Sequence, residues 1–515
     1  MPRPMGVYDK SKSKSVFDLL IVGAGINGAG LARDAAGRGL KVLIVDQGDL
    51  AGSTSSNSTK LIHGGLRYLE HYAFGLVRES LAERETLLAI APHLAREQRF
   101  VIPHTPAQRP RWMIRLGLAL YDRLARGSSL KRAQALSLRG TPYGEPLRPE
   151  FTHGFAYSDL ATDDARLTLL NVMSAAQLGA QVRPRTQLVG ARRVGHDGDE
   201  WQAVLQAADG TQQACAARIL VNAAGPWAAQ LRKMIAGSDG PESLRLVQGS
   251  HIVVPRLYAG EQAYLLQNDD GRIVFVIPFE DDFSLVGTTE VPLAAPEAAP
   301  QIDAAETDYL CSVVGRFFQA PPAPSQVVWS FAGIRALYDD GRGSASTVSR
   351  EYRLAVDGGT QEAPLLSIYG GKLTTYRHLA ERVLARLQPW LPGLRPAWSA
   401  AVHLPGGGLG PRGLPGLLLE LAGRYPALPP DLLHALARRH GTLAARVLGV
   451  AQTEAALGEH FGGGLYAVEV DYMMAHEWAR EADDILWRRT KCGLRIDAAG
   501  RVRLARHLAE KGRSS

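Results

Sequence analysis

The sequence predicts an α/β architecture, opening on a Rossmann-like nucleotide-binding unit and closing on an α-helical C-terminal domain, on three observations. The apolar run Phe17–Val22 leads directly into Gly23-Ala24-Gly25-Ile26-Asn27-Gly28 and a small-residue stretch to about Gly37. Strand-like runs then fall in two groups, one over 181–222 and one over 246–287. Helical stretches lie between the groups, and others run from about residue 415 to the end.

The first βαβ unit follows from its residue types. Phe17–Val22 is a β-rich run ending in glycine, the small residues up to Gly37 suit a tightly packed helix, and 41–45 is a second apolar run ending at Asp46. Helices are expected over 76–94 and 112–126. Strands are expected over 181–193, 201–205 and 217–222, the last running into Ala223, Ala224 and Gly225. The second strand group, 246–254, 272–277 and 283–287, is richer in Val, Ile and Phe. Pro392, Pro396, Pro405 and the glycines 406–408 mark a turn-rich domain boundary near residue 400.

With 515 residues the chain exceeds what one core supports, so two or three domains are expected. Its formal charge of +7 favours anionic partners, but nucleic acid, anionic lipid and a phosphorylated small molecule all satisfy that. No recognised RNA motif or aromatic-interleaved Lys/Arg platform is present, which argues against nucleic acid. Cys215, Cys311 and Cys492 are scattered, so neither a disulfide scaffold nor a CxxC site is indicated. No run reaches the roughly 18 apolar residues of a membrane-spanning helix. The N-terminal stretch with Lys10, Lys12 and Lys14 reads as a flexible tail of residues 1–16, since Asp18 and the glycines beyond it spoil any signal-peptide core.

The glycine loop has a physical reading. Gly23 allows the tight turn, Gly25 lets a pyrophosphate approach the backbone, and Gly28 permits close packing of helix on strand. The helix N-terminus at Ile26 and Asn27 offers N–H donors to phosphate, and Asp46 can accept from ribose hydroxyls. This pattern serves NAD and FAD alike. The segment 52–70, GSTSSNSTKLIHGGLRYLE, adds a hydroxyl-rich lid through Ser55, Ser58, Thr59 and Lys60, followed by His63, Gly64, Gly65, Arg67 and Tyr68. Such a lid over the diphosphate suits a tightly held flavin, and Arg67 offers a bidentate fork to an oxyanion. Near the other end, Gly370, Gly371, Lys372, Leu373 and Thr374 join a strand to a helix, aiming a second helix N-terminus at a ligand. His251, Thr288 with Glu290, and Arg335 each stand at the tip of an expected strand. A histidine there has the pKa for general-base work near neutrality.

At these residues the sequence resembles the aerobic FAD-dependent glycerol-3-phosphate dehydrogenases of bacterial type, within the D-amino-acid-oxidase-like flavoproteins. The resemblance spans Phe17 to about Leu494 and is most specific at 55–70, 157–167 (YSDLATDDARL), 249–256 (GSHIVVPR), 272–278 (RIVFVIP), 370–377 (GGKLTTYR) and 482–494 (ADDILWRRTKCGL). It implies a Rossmann-like FAD-binding domain of the two-dinucleotide-binding type from 17–75, 150–240 and 340–395. It further implies a mixed β-sheet substrate domain from 76–149 and 241–339, and a helical cap over 400–515. Cofactor contacts are expected from Gly23, Gly25, Ile26, Asn27, Gly28, Asp46, Ser55, Ser58, Thr59, Lys60, His63, Gly64, Gly65, Ala224, Gly225, Gly371, Leu373 and Thr374. Substrate contacts are expected from Arg67, Tyr68, Thr288, Arg335 and Lys372, with His251, Arg335 and Lys372 in catalysis.

The implied reaction is hydride transfer from C2 of sn-glycerol 3-phosphate to flavin N5, giving dihydroxyacetone phosphate, with His251 as base and membrane quinone as final acceptor. Three cations around a dianion argue against the nearest rival, an amine or amino-acid oxidase of the same group. Glu290 stands where the family commonly has Asp. No EF-hand pattern follows residue 400, so the calcium-regulated mitochondrial form of the family is not supported, and the site carries no expected metal ligand. A homodimer, peripheral on the cytoplasmic face of the bacterial inner membrane, is the implied form. On a helical wheel Arg111, Arg115, Asp122 and Arg126 share one side and Met113, Leu116, Leu120 and Leu124 the opposite one, with Arg123 at the border; this pattern suits an anionic lipid surface.

Overall fold

The computed structural model describes residues 16–66, 69, 72–105, 109–237, 243–339, 352–359 and 361–513. The α/β fold expected from the sequence is present. Phe17–Val22 sits at the heart of the first sheet, with Val42–Val45 parallel on one side and Gln212–Asn222 parallel on the other. Gln181–Arg183 extends this sheet beyond Val42–Val45; Leu365–Tyr369 and Arg353–Asp357 extend it the other way. All but Arg353–Asp357 run parallel in this order, so the carboxyl ends of Val22, Val45, Asn222 and Tyr369 gather on one edge, where α/β sheets bind their ligands.

Helices Ile26–Gly37, Asp164–Gln177 and Tyr376–Leu387 cover one face of the sheet. Their approach is close because the first is built of Ala and Gly: Gly30 lies against the Tyr376 ring. Asp163 caps the second of these helices by accepting from the Arg166 N–H, a contact usually worth about 1 kcal/mol.

The expected single strand over 181–193 divides in two. Pro184 and Arg185, the latter at φ 52, turn the chain, so that Gln181–Arg183 joins the parallel sheet while Thr186–Val194 starts an antiparallel meander with Glu200–Ala207. Gln212–Asn222 serves both, antiparallel to the meander up to Ala217 and parallel to Phe17–Val22 from there on.

The second sheet runs, in spatial order, Val291–Leu293, Ser243–Pro255, Phe283–Gly287, Ile273–Phe279, Ala263–Gln267, Arg96–His104, His153–Ala161, Leu61–Ile62. Trp329–Asp339 pairs along nearly the whole of Ser243–Pro255, from Ser243↔Asp339 to Val253↔Trp329. Beyond the turns near residue 400, helices Gly413–Arg424, Pro430–His440, Ala467–His476 and Ala498–Arg513 enclose their own apolar clusters around Leu433, Leu436, Met473 and Ile485.

The helix Arg111–Leu124 corrects the expected division of faces. Leu118 and Tyr121 are buried and Ile114 and Leu124 pack on the core, whereas Trp112 (65% exposed) and Leu116 (62%) point outward with Met113. The helix therefore carries two apolar faces, because Leu116 lies about 160° around the axis from Leu118.

Candidate active site

Two cavities open along the carboxyl edge of the parallel sheet. One, of about 520 Å³, is lined by Gly23, Gly25, Asp46, Ser55, Ala224 and Trp227. The other, of about 350 Å³, is lined by Thr59, His63, His251, Thr288, Arg335 and Lys372, among others. They share Gly25, Thr54, Ser55, Ala223, Gly225 and Pro226, so they form one continuous slot from the Asp46 end to the His251 end. A slot of this length, glycine-floored in the middle and polar at both ends, fits an extended dinucleotide.

The glycine loop is built as its residue types require. Gly23 is at φ +106 with its α-carbon facing the Ala223 carbonyl, a place no side chain can occupy. Gly28 packs against Gly23 and Ala223 and reaches neither cavity; it sets the helix close to the strand. Asp46 accepts the Ala24 N–H at 2.7 Å and the Gly48 N–H at 2.9 Å, which anchors its carboxylate at the first cavity with lone pairs left over. Burial raises its pKa, against those two hydrogen bonds. Ser55 Oγ accepts the Ile26 N–H at 2.9 Å, so the hydroxyl-rich loop folds back over the helix N-terminus.

The lid and the second helix N-terminus meet across the other cavity. The His63 N–H donates to Thr374 Oγ1 at 3.2 Å, and Asn27 Nδ2 donates to the Gly370 carbonyl at 3.2 Å. Gly65, Gly371 and Leu373 line this cavity as well. Gly64 stands behind it, its N–H donating to the Tyr121 hydroxyl at 2.9 Å, and that hydroxyl donates in turn to buried Asp159.

Not every lid residue faces the slot. The Lys60 ammonium is 5% exposed and turned away, donating to Asp164 at 2.8 Å and to the Ser56 carbonyl at 2.8 Å. Ser58 lines the cavity but spends its N–H and hydroxyl on the same Asp164, at 3.0 and 2.7 Å. These two side chains hold the loop in shape, with Thr59 between them. Arg67 and Tyr68 lie outside the described residues.

At the His251 end, Arg335 Nη2 donates to Thr288 Oγ1 at 2.8 Å and Nη1 to the Thr289 carbonyl at 3.3 Å, with Glu290 on the same wall. Behind them Glu306, 7% exposed, accepts from Ser250 Oγ at 2.8 Å and Thr289 Oγ1 at 2.5 Å, tying the strand that carries His251 to the turn that carries Thr288; His251 and Arg335 lie within long paired strands and not at the expected tips. His251 is 1% exposed; its Nε2 is 2.9 Å from Thr59 Oγ1 and its ring stacks on Phe331 at 4.9 Å. Burial, then Arg335, then Lys60 push its pKa well below 6.5, so the ring is neutral at physiological pH. Sequence reasoning gave no role to Phe100, Tyr157, Ile273 and Phe275, which form an apolar wall of this cavity. Tyr157, Ile273 and Phe275 belong to segments singled out as specific, but apolar side chains in strands carry no local mark that separates a cavity wall from a core.

The chain matches the family model described as FAD dependent oxidoreductase over residues 18–377, and the one described as the C-terminal domain of alpha-glycerophosphate oxidase over 398–509. It is 50% identical over 493 residues to a glycerol-3-phosphate dehydrogenase of Pseudomonas aeruginosa, covering 96% of this chain and 95% of that one. It is 45% identical over 486 residues to a D-erythritol 1-phosphate dehydrogenase of Brucella abortus, covering 94% and 96%. The X-ray structure of the glycerol-3-phosphate dehydrogenase of Bacillus halodurans complexed with FAD superposes with a TM-score of 0.76 at 27% identity, over 97% of this chain and 89% of that one.

Proposed function

Because the chain belongs to the FAD dependent oxidoreductase family, and within it to the glycerol-3-phosphate dehydrogenases, we propose that this flavoenzyme oxidises sn-glycerol 3-phosphate to dihydroxyacetone phosphate and delivers the electrons to membrane quinone. The observation that carries the substrate is the joint presence of Arg335, Lys372 and the neutral His251 on the wall of one cavity. Two cations suit a phosphate dianion, since charge-assisted contacts are the strong ones, and a neutral imidazole can take a proton. A zwitterionic amino acid gives that pair of cations only a single carboxylate.

FAD, bound along the slot, supplies the two-electron acceptor that the side chains lack. The chain does the rest. Arg335, held by Thr288 and Thr289, grips the phosphate together with Lys372 and so fixes C2 at the His251 end of the slot. The C2 hydroxyl proton leaves through Thr59 Oγ1 to His251 Nε2, 2.9 Å away. Burial and two nearby cations disfavour the imidazolium, so once the oxidised product has left the ring returns its proton through Thr59 Oγ1 to water entering the cavity.

Quinone is reached from the bilayer surface. No helix among the described residues is long and apolar enough to cross a membrane, and the outward apolar face of Arg111–Leu124, flanked by Arg111, Arg115 and Arg123, suits peripheral contact with anionic lipid. On this reading the enzyme sits on the cytoplasmic face of the bacterial inner membrane.

The test is an anaerobic titration of the detergent-purified holoenzyme. Glycerol 3-phosphate bleaches the visible flavin band, and a short-chain quinone restores it. Faster bleaching by D-erythritol 1-phosphate would reassign the substrate, and bleaching by glycine alone would reassign the enzyme to the amino-acid oxidases.

A further inference from the structure

The segment 482–494 is among the most distinctive of the chain, lies in the C-terminal domain, and lines the substrate end of the slot nowhere. Two of its side chains nevertheless reach the Thr59–His251 pair by separate routes. One route is aromatic. The Trp487 ring stacks on Trp329 at 4.5 Å and 17°, Trp329 meets Phe331 at 4.8 Å, and Phe331 stacks on His251 at 4.9 Å and 14°. Trp329, Phe331, Gly333 and Arg335 alternate along one strand and so share a face of it. Trp487 thus presses on the outer end of the same strand face that presents Arg335 to the cavity.

The second route is ionic. Lys491, 4% exposed, donates to Asp163 at 2.7 Å. The next residue, Asp164, is fully buried and takes the Ser58 N–H, the Ser58 hydroxyl and the Lys60 ammonium, the contacts that fix the loop on both sides of Thr59. Lys60 closes the circuit, its ammonium 4.8 Å from the centre of the Phe331 ring.

A buried lysine facing a carboxylate is weak as a source of stability, because desolvation offsets most of the attraction; geometry is what such a pair defines well. The first route ends on the His251 ring and the second on the two neighbours of Thr59, so between them they hold the two partners of the 2.9 Å contact from Thr59 Oγ1 to His251 Nε2. We propose that Trp487 and Lys491 are positioning residues for the Thr59–His251 pair, which makes the C-terminal domain part of the catalytic apparatus. The catalytic consequence rests on reading His251 as proton acceptor; the geometric one does not.

Two measurements on the holoenzyme separate these. In stopped-flow reduction by saturating glycerol 3-phosphate, W487L and K491M slow reduction per bound flavin about tenfold or more, as expected for misplacement near the chemistry, while W487F and K491R recover most of the rate. In an H251N background W487L and K491M add no further slowing, because residues acting through one group are not additive. In substrate-free holoenzyme carrying isotope-labelled histidine, the His251 ring resonance, identified by its loss in H251N, shifts in W487L and K491M and returns in W487F and K491R. Additive slowing, or a lowered melting temperature with an unmoved resonance and unchanged reduction per flavin, overturns the proposal. If glycerol 3-phosphate fails to reduce the wild-type flavin, the proposed function falls and the resonance still decides whether Trp487 and Lys491 position the pair.

Discussion

His251 shows how a residue type that sequence can only nominate acquires a definite chemical state from its surroundings. Removal from water comes first in lowering its pKa, followed by the charges of Arg335 and Lys60. A base acts in its deprotonated form, so a folded-state pKa below the ordinary 6.5 extends activity toward acid. Flavin reduction at saturating glycerol 3-phosphate is therefore expected to stay level from about pH 8 down through 6.5 and to fall only below it; working at saturation keeps the substrate's own phosphate titration out of the profile. His251→Asn should slow that step by about 10²- to 10⁴-fold with flavin content retained. A fall centred at or above pH 6.5 that disappears in the Asn variant would contradict the assigned state, and an unchanged rate would remove His251 from the chemistry.

At the scale of the element, the helix Arg111–Leu124 has too many apolar residues for one buried face. Tyr121 holds the inner side by donating to Asp159 and accepting the Gly64 N–H, which links the helix to the loop that carries His63 and Gly65. Asp122 is engaged with the Ala133 N–H, so the outward face keeps Trp112, Met113 and Leu116 among arginines. Burying a side chain such as Leu or Met contributes roughly 1.5–3 kcal/mol and each nearby Arg about 1 kcal/mol on an anionic surface. The double variant W112E/L116E should therefore lower partition to anionic liposomes about tenfold or more, measured by co-sedimentation, while reduction by substrate in detergent is unaffected. Partition that does not change would assign this face to something other than lipid.

Across the whole molecule, what was legible in the sequence is what lies within one segment. The glycine loop with Asp46, the 52–70 segment and the 370–377 turn each carry their signal in a short run of residue types, although the described part of the second takes its shape from distant Asp164 and Thr374. The division of the two apolar faces of Arg111–Leu124 was not legible, because the core that claims Leu118 and Leu124 comes from distant strands. Nor was the seam between the C-terminal domain and the rest, whose partners are far apart in the chain: buried Arg166 meets Glu477 at 2.6 Å and His440 Nδ1 at 3.3 Å, and Arg489 pairs with Asp49. His93 lies in this seam, 4% exposed, against Gly406 and Gly441, with neither ring nitrogen meeting a protein partner among the described residues. Burial first, then Arg166 and His440, push its pKa down to about 3. In the unfolded chain the same group takes a proton below about pH 6.5, so the unfolded state binds one more proton than the folded one and stability falls as pH drops from about 6.5 toward 3. One such group contributes a slope of up to about 1.4 kcal/mol per pH unit. Urea unfolding of the holoenzyme at about pH 6.5 and pH 4.5 should show this slope reduced by close to one proton in His93→Leu, whatever the variant does to absolute stability. An identical slope in the two proteins would mean that His93 is charged in the fold and that the seam already accommodates its proton.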